Sequence, residues 1–195
     1  MPETDILDRE TYAERARLAD LLATLGPEQW SAPSLCAGWR VREVVAHITM
    51  PYRVRPARLL AGLVRARLSF DRYADRQARA DTAHLSDAEL LACLRANLTT
   101  PWRPPGGGAA GALSHDVIHG LDLTVPLGLP GPPPERIALV LDHAGRHLDH
   151  FGFDPAATRL VATDADVSLG HGSPREMRLV DVLLTVAGRP VTERP

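Results

Sequence analysis

The stretch Ala112-Leu113-Ser114-His115-Asp116-Val117-Ile118-His119-Gly120-Leu121-Asp122-Leu123-Thr124-Val125 is the strongest constraint on what this chain can become. Its apolar residues call for burial as a helix, and Pro126 ends it because proline brings no N–H to the ladder. Yet one stripe of that helix is polar. His115 and His119 stand four apart, neighbours on one face at about 5–6 Å between Cβ atoms, and Asp122 continues the line three residues later. Burying two imidazoles and a carboxylate is unfavourable unless partners satisfy them. The fold must therefore bring something to this stripe. A metal ion with a carboxylate behind its ligand would serve, and so would a buried polar network without metal.

A second helix offers a candidate. From Trp39, the residues Val41, Val44, Val45 and Ile48 fall at i, i+3, i+4 and i+7 on one apolar face, with His47 just off its centre. A lone histidine there is ordinarily a satisfied core residue. Joined to His115 and His119, it completes three imidazoles from two helices, a ligand set for a divalent metal with one position left open, as in reactive rather than structural sites. A His-x-x-x-His pair by itself is weak: with 8 histidines in 195 residues, chance supplies roughly 0.3 such pairs. The second pair, His143 and His147, with His150 behind, reads accordingly as solvated or capping histidines near a helix C-terminus. Cys36, eleven residues before His47, reads as a small buried hydrophobe, and Cys93 forms no C-x-x-C motif with it.

The remaining periodicities predict a helix over Asp5–Leu25, ended by Gly26-Pro27, and a loop over Gln29–Gly38. Pro51 and Pro56 are expected to interrupt or kink the second helix. The segment up to Arg79 carries eight arginines from Arg53 onward against Asp71 and Asp75, and reads as a solvated helical face rather than the lining of an anion pocket. Ser86, with Glu89 three residues on, forms a capping-box pattern that opens a helix to Leu98. Pro101–Gly111 reads as a flexible linker, followed by the His115 helix over Ala112–Val125 and another helix over Pro134–Phe151. Beyond Gly152 the pattern changes to short strands at Arg159–Thr163 and Val167–Leu169 about an Asp164-Ala165-Asp166 turn, then a helix over Leu179–Ala187. The expected organisation is a metal-binding helical bundle over residues 1–152 and a small α+β segment over 153–195.

Composition excludes several classes. The net charge is −2, and the 22 basic residues, all arginine, are matched by 24 acidic ones, which argues against nucleic-acid and membrane partners. Neither a secretory h-region nor a run of 18 uncharged apolar residues is present, so a cytoplasmic protein with reduced thiols is expected. There is no nucleophile–His–Asp signature, no H-E-x-x-H, and Gly106-Gly107-Gly108 follows prolines rather than a strand.

The segment Cys36-x-Gly38-Trp39-x-Val41-Arg42-x-Val44-Val45-Ala46-His47 resembles the entry to the second helix of the mycothiol-dependent maleylpyruvate isomerase family, within the DinB-like metal-binding superfamily. Val117-Ile118-His119-Gly120-Leu121-Asp122, then Pro126-Leu127-Gly128, resembles that family's second metal segment. Leu160-x-Ala162-Thr163-Asp164, Gly170-x-Gly172 and Ala187-Gly188-Arg189-Pro190 are similar to its C-terminal portion. The resemblance implies a mainly α protein, a DinB-like four-helix bundle with a small C-terminal α+β tail. It implies a divalent metal, usually zinc, on His47, His115 and His119, with Asp122 and Asp116 behind the ligands. His115 stands where the isomerase carries a glutamate, and all-histidine sets are common in the wider superfamily. The activity implied is that of a metal-dependent enzyme using a low-molecular-weight thiol such as mycothiol, isomerase-like or S-transferase-like, on an electrophilic substrate. The residues leave two other classes open: a non-catalytic metal- or ligand-binding bundle, with a homodimer as one use of it, and a metal-dependent hydrolase in which water replaces the thiol.

Overall fold

The computed structural model describes residues 2–145 and 154–191. Among these residues eight helices precede the tail: α1 (Glu3–Leu22), α2 (Pro27–Trp30), α3 (Val41–Arg53), α4 (Pro56–Arg65), α5 (Phe70–His84), α6 (Asp87–Arg95), α7 (Gly108–Thr124) and α8 (Pro134–Gly145). The tail holds β1 (Thr158–Ala162), β2 (Ser168–Leu169), β3 (Ser173–Met177) and α9 (Leu179–Val186). The protein is thus mainly helical with a small three-stranded sheet near its C-terminus.

Four helices close into a ring: α1 packs on α7 and α6, and α3 packs on the same two from the other side. Leu18 and Leu22 of α1, Val41, Val44, Val45 and Ile48 of α3, Leu90 and Leu94 of α6, and Leu123 of α7 meet inside, all at most 1% exposed. The apolar face read from the α3 sequence is therefore the wall of this core. α7 has a second apolar side. Its Leu113, Val117 and Leu121 join Ile137 and Leu141 of α8, Leu160 of β1 and Leu183 of α9 in another core, which pins the tail to the bundle. α7 thus lies between two cores, and its polar stripe faces neither.

Local chemistry explains most helix starts. The Glu43 carboxylate accepts the Arg40 N–H at 2.9 Å at the head of α3. Ser86 Oγ accepts the Glu89 N–H at 3.3 Å while Glu89 Oε2 accepts the Ser86 N–H at 2.8 Å, the reciprocal cap expected for α6. Three expectations are corrected. α3 runs through Pro51 to Arg53, and Pro56 opens α4 rather than kinking α3, a position where its missing N–H is no loss. α7 begins at Gly108, inside the stretch read as a linker, because Gly107 and Gly111 let that turn seat against Pro104. The segment read as loop from Gln29 contains the end of the one-turn α2. The helix expected to reach Phe151 is described to Gly145, and Leu148, His147 and His150 lie outside the described residues.

In the sheet β1 is central, antiparallel to β2 and parallel to β3. β1 and β2 are the expected strands; β3, Ser173-Pro174-Arg175-Glu176-Met177, is an addition. Among the described residues no helix is long and apolar enough to cross a membrane.

Candidate metal centre

The polar stripe of α7 faces the middle of α3, at His47. One donor atom from each of His47, His115 and His119 lies within 4.8 Å of the others. The ring centroids are 4.7 Å apart for His47 and His119, 5.2 Å for His47 and His115, and 4.8 Å for His115 and His119. Nitrogens bound tetrahedrally to one zinc at ~2.1 Å sit about 3.4 Å apart, so small side-chain rotations bring this trio to that spacing.

Carboxylates orient two of the rings. Asp116, fully buried, lies 2.8 Å from His115 Nδ1 through Oδ1, and its Oδ2 accepts Arg15 Nε of α1 at 2.7 Å. Arg15 also donates to the Thr100 carbonyl at 2.7 Å. Asp122, equally buried, accepts His119 Nδ1 at 2.9 Å. With Nδ1–H donated to a carboxylate, the Nε2 lone pair of each ring is free for a cation, the arrangement by which a partner behind a ligand fixes its tautomer. His47 has no such partner: its Nδ1 is buried and unpaired among the described residues. Burial, and then the neighbouring His119 and His115, push the His47 pKa down to about 2, so this imidazole is neutral. Burial likewise lowers His119, against the pull of Asp122. Converging, buried or half-buried imidazoles, one with an orphan nitrogen, are chemically suited to a divalent cation and poorly suited to being left alone.

Beside this trio lies a second cluster, Cys36, His119 and Asp122. Arg189 occupies it. Its Nε reaches Asp122 Oδ1 at 2.7 Å, and its Nη2 reaches Oδ2 at 2.9 Å and Cys36 Sγ at 3.6 Å. A guanidinium therefore stands where a second cation would otherwise go. Burial works against the Asp122 carboxylate, but hydrogen bonds from His119 and Arg189 outweigh it and hold the group well below the usual range.

Cys36 is accordingly more than the buried hydrophobe expected of it. Half-buried, it donates Sγ–H to Asp122 Oδ2 at 3.0 Å, and its sulfur lies 4.0 Å from His119 Nδ1. Burial, then the Asp122 charge, raises its pKa to about 12, so it remains a thiol. The turn that carries it is tied down. Gly38 takes φ +75°, where only glycine is unstrained, the Trp39 N–H returns to the Cys36 carbonyl at 3.0 Å, and the Leu35 N–H reaches the Asp122 carbonyl at 3.0 Å.

The trio lies on the floor of an open pocket of about 800 Å³, walled by Trp39, Phe70 and the Cys36 and Arg189 turns. Trp39 lies 5.3 Å from His47 with the rings tilted by 53°, its Nε1 donating to Asp75 at 2.8 Å, and Trp102 meets His115 edge-on at 5.0 Å. Sequence reasoning missed Arg15, Trp102, Phe70 and the role of Arg189; only the Ala187-Gly188-Arg189-Pro190 motif hinted at the last. His143 lies elsewhere, bonded to the Leu139 carbonyl at 3.0 Å and paired with Glu3 at 3.1 Å.

A helical bundle with three histidines converging at the foot of a pocket defines a class of candidate metal-binding proteins. The chain belongs to the mycothiol maleylpyruvate isomerase N-terminal domain family, whose profile matches residues 12–183. Its fold is also that of a crystallised mycothiol-dependent maleylpyruvate isomerase, with a TM-score of 0.64 at 13% sequence identity over 97% of this chain and 90% of that one. A histidine-to-alanine mutant of such an isomerase gives 0.62 and 13% over 96% and 90%. No curated protein matches the chain by sequence.

Proposed function

We propose that this protein is a cytoplasmic, metal-dependent enzyme that uses a low-molecular-weight thiol such as mycothiol against an electrophilic small molecule. The observation that carries this reading is the convergence of His47, His115 and His119 within 4.8 Å at the floor of an 800 Å³ pocket, in a chain of this family. His47, His115 and His119 would hold a divalent ion, zinc by the donor chemistry, and such an ion would supply the Lewis acidity that favours a thiolate near neutral pH. The protein's own residues do the rest. Asp116 and Asp122 hold His115 and His119 in the ligating tautomer, and Arg15 and Arg189 hold the two carboxylates. Cys36, kept as a thiol, does not compete as nucleophile, which favours a sulfur brought from outside. Trp39 and Phe70 present apolar faces to the electrophile.

The reaction this suits is addition to an activated double bond. The sulfur bonds one carbon, the π pair moves to the other, and that carbon takes the thiol's proton. Isomerisation follows if the adduct rotates and eliminates the thiol again; transfer is the same chemistry stopped at the adduct. In this reading residues 1–152 carry the metal, and 153–195 close the site through Arg189. The test is metal analysis of protein purified without a nickel column, then calorimetry with mycothiol across pH 6–9. About one divalent ion per chain and thiol binding that disappears in metal-free protein are expected. Metal-independent binding, or none at all, would overturn the reading.

A further inference from the structure

One wall of the pocket has a charge pattern that thiol chemistry alone does not require. Phe70, Asp71, Ala74 and Asp75 of α5 line it, at i, i+1, i+4 and i+5, which share one side of a helix. Of the α5 arginines, Arg72 and Arg76 fall on the other side and Arg79 is spent on Asp75 and the Gly38 carbonyl; none of the eight arginines between Arg53 and Arg79 lines the pocket. Arg189, the guanidinium that does, has Nε and Nη2 on Asp122 and Nη1 on the Ala187 carbonyl at 3.4 Å. Its charge is thereby matched by a buried carboxylate. Of the α5 carboxylates, Asp75 is paired with Arg79 at 2.9 Å, and Asp71 is not matched. Asp71 is exposed and without a hydrogen-bond partner among the described residues, and Asp75 faces the pocket with Trp39 Nε1 and the half-exposed Arg79 on it.

We infer that this pocket selects against carboxylates, and that its electrophile is an uncharged or cationic molecule rather than a dicarboxylate. The inference rests on the proposed function and narrows its substrate class. In that reading a bound thiolate would offset one of the two charges of the ion held by His47, His115 and His119, so a second acid group on the electrophile must find its cation among the lining side chains. Among the described lining residues none is free, and the unpaired Asp71 repels it. An uncharged molecule loses nothing to that wall: the Phe70 ring, 48% exposed, and Trp39 flank its double bond, and the two carboxylates accept hydrogen bonds from its hydroxyl or amide N–H groups.

The test compares maleate with maleamide, which share a cis double bond and differ by two charges. Binding is measured by ligand-observed NMR to the metal- and thiol-loaded protein and, in parallel, to metal-free protein. Maleamide is expected to bind at least tenfold tighter in both, with the ratio shrinking as salt screens the wall. Asp71→Asn, an exposed substitution that leaves the fold and the metal content alone, should cut the ratio at least threefold, and Asp71→Arg should cut it further. Maleate binding as tightly as maleamide, or a ratio unmoved by both variants, overturns the inference. The two failures are separable. If the thiol does not bind, the proposed function falls and the metal-free arm still reads the wall; if it binds and maleate is preferred, only the selectivity falls.

Discussion

Replacing Asp122 by asparagine is the most revealing single change, because that carboxylate is fully buried and shared by three partners. It receives His119 Nδ1 at 2.9 Å, Arg189 at 2.7 and 2.9 Å, and Cys36 Sγ at 3.0 Å. Asparagine keeps the shape and one acceptor but removes the charge, so two effects follow. Metal affinity should fall about 10–100-fold as His119 loses its fixed tautomer, equivalent to about 1.4–2.7 kcal/mol. Stability should fall as well. Leaving one partner of a buried ion pair alone costs about 3–5 kcal/mol, and Arg189, 24% exposed, places this pair near the lower figure. At about 2–4 °C per kcal/mol for a chain of this size, the metal-free melting temperature should drop by roughly 6–12 °C. The sign of the pH dependence is also set. The folded Asp122 pKa lies below its unfolded value near 3.9, so its stabilisation is complete above about pH 4 and is lost as pH falls further. The gap between the parent and Asp122→Asn should therefore close only below about pH 4. Competition with a chromophoric chelator reads the first effect and thermal melts of metal-free protein read the second. A folded variant whose metal affinity stays within threefold of the parent would refute the role given to Asp122.

Other outcomes follow from the same geometry. His47→Ala and His119→Ala should each strip most of the metal while His143→Ala, which faces Glu3, should not; elemental analysis decides, and full retention in the first two would remove the site. In metal-free protein, burial lowers the folded pKa of His47 to about 2 and lowers that of His119, while both take protons near pH 6.5 when unfolded, so their stabilisation is complete above that pH and is lost as pH falls. Urea melts from pH 7.5 to 5 should lose about 1.4 kcal/mol per pH unit below 6.5 for His47, with His119 adding to the loss in the same direction, and a flat profile would contradict their burial. Gly120→Ala should destabilise by about 1 kcal/mol instead of stabilising α7: its Cβ would fall 2.9 Å from Glu14 Oε1 and 3.2 Å from Leu18 Cδ2, where α1 crosses closest. Equal or higher denaturant midpoints for that variant would show that α1 can yield.

Local pattern carried the elements whose signals sit within a few residues. Val41, Val44, Val45 and Ile48 announce the inner face of α3, Ser86 and Glu89 announce α6, and the His115–His119–Asp122 line announces a helix that needs polar partners. Elements that depend on distant support were not legible. β3 has no alternation and begins Ser-Pro; it is a strand because β1 presents it an edge in parallel register. α4 buries no residue fully, and its limits were lost among the arginines that continue into α5.

The same division runs through the site. By itself the sequence determined the residue types and their helical phase: two imidazoles four apart with a carboxylate in line, and a third imidazole off the apolar face of α3. Those follow from a 3.6-residue repeat, which is local. Only the tertiary structure decided that α3 and α7 meet at these rings, and that Arg15 reaches Asp116 from 101 residues away. It alone placed Arg189, 67 residues beyond Asp122, in the neighbouring cluster, with Cys36 beside it as a half-buried thiol. The physical reason is that protonation state, ion pairing and coordination depend on which charges lie within a few ångströms, and that distance is set by how the helices pack.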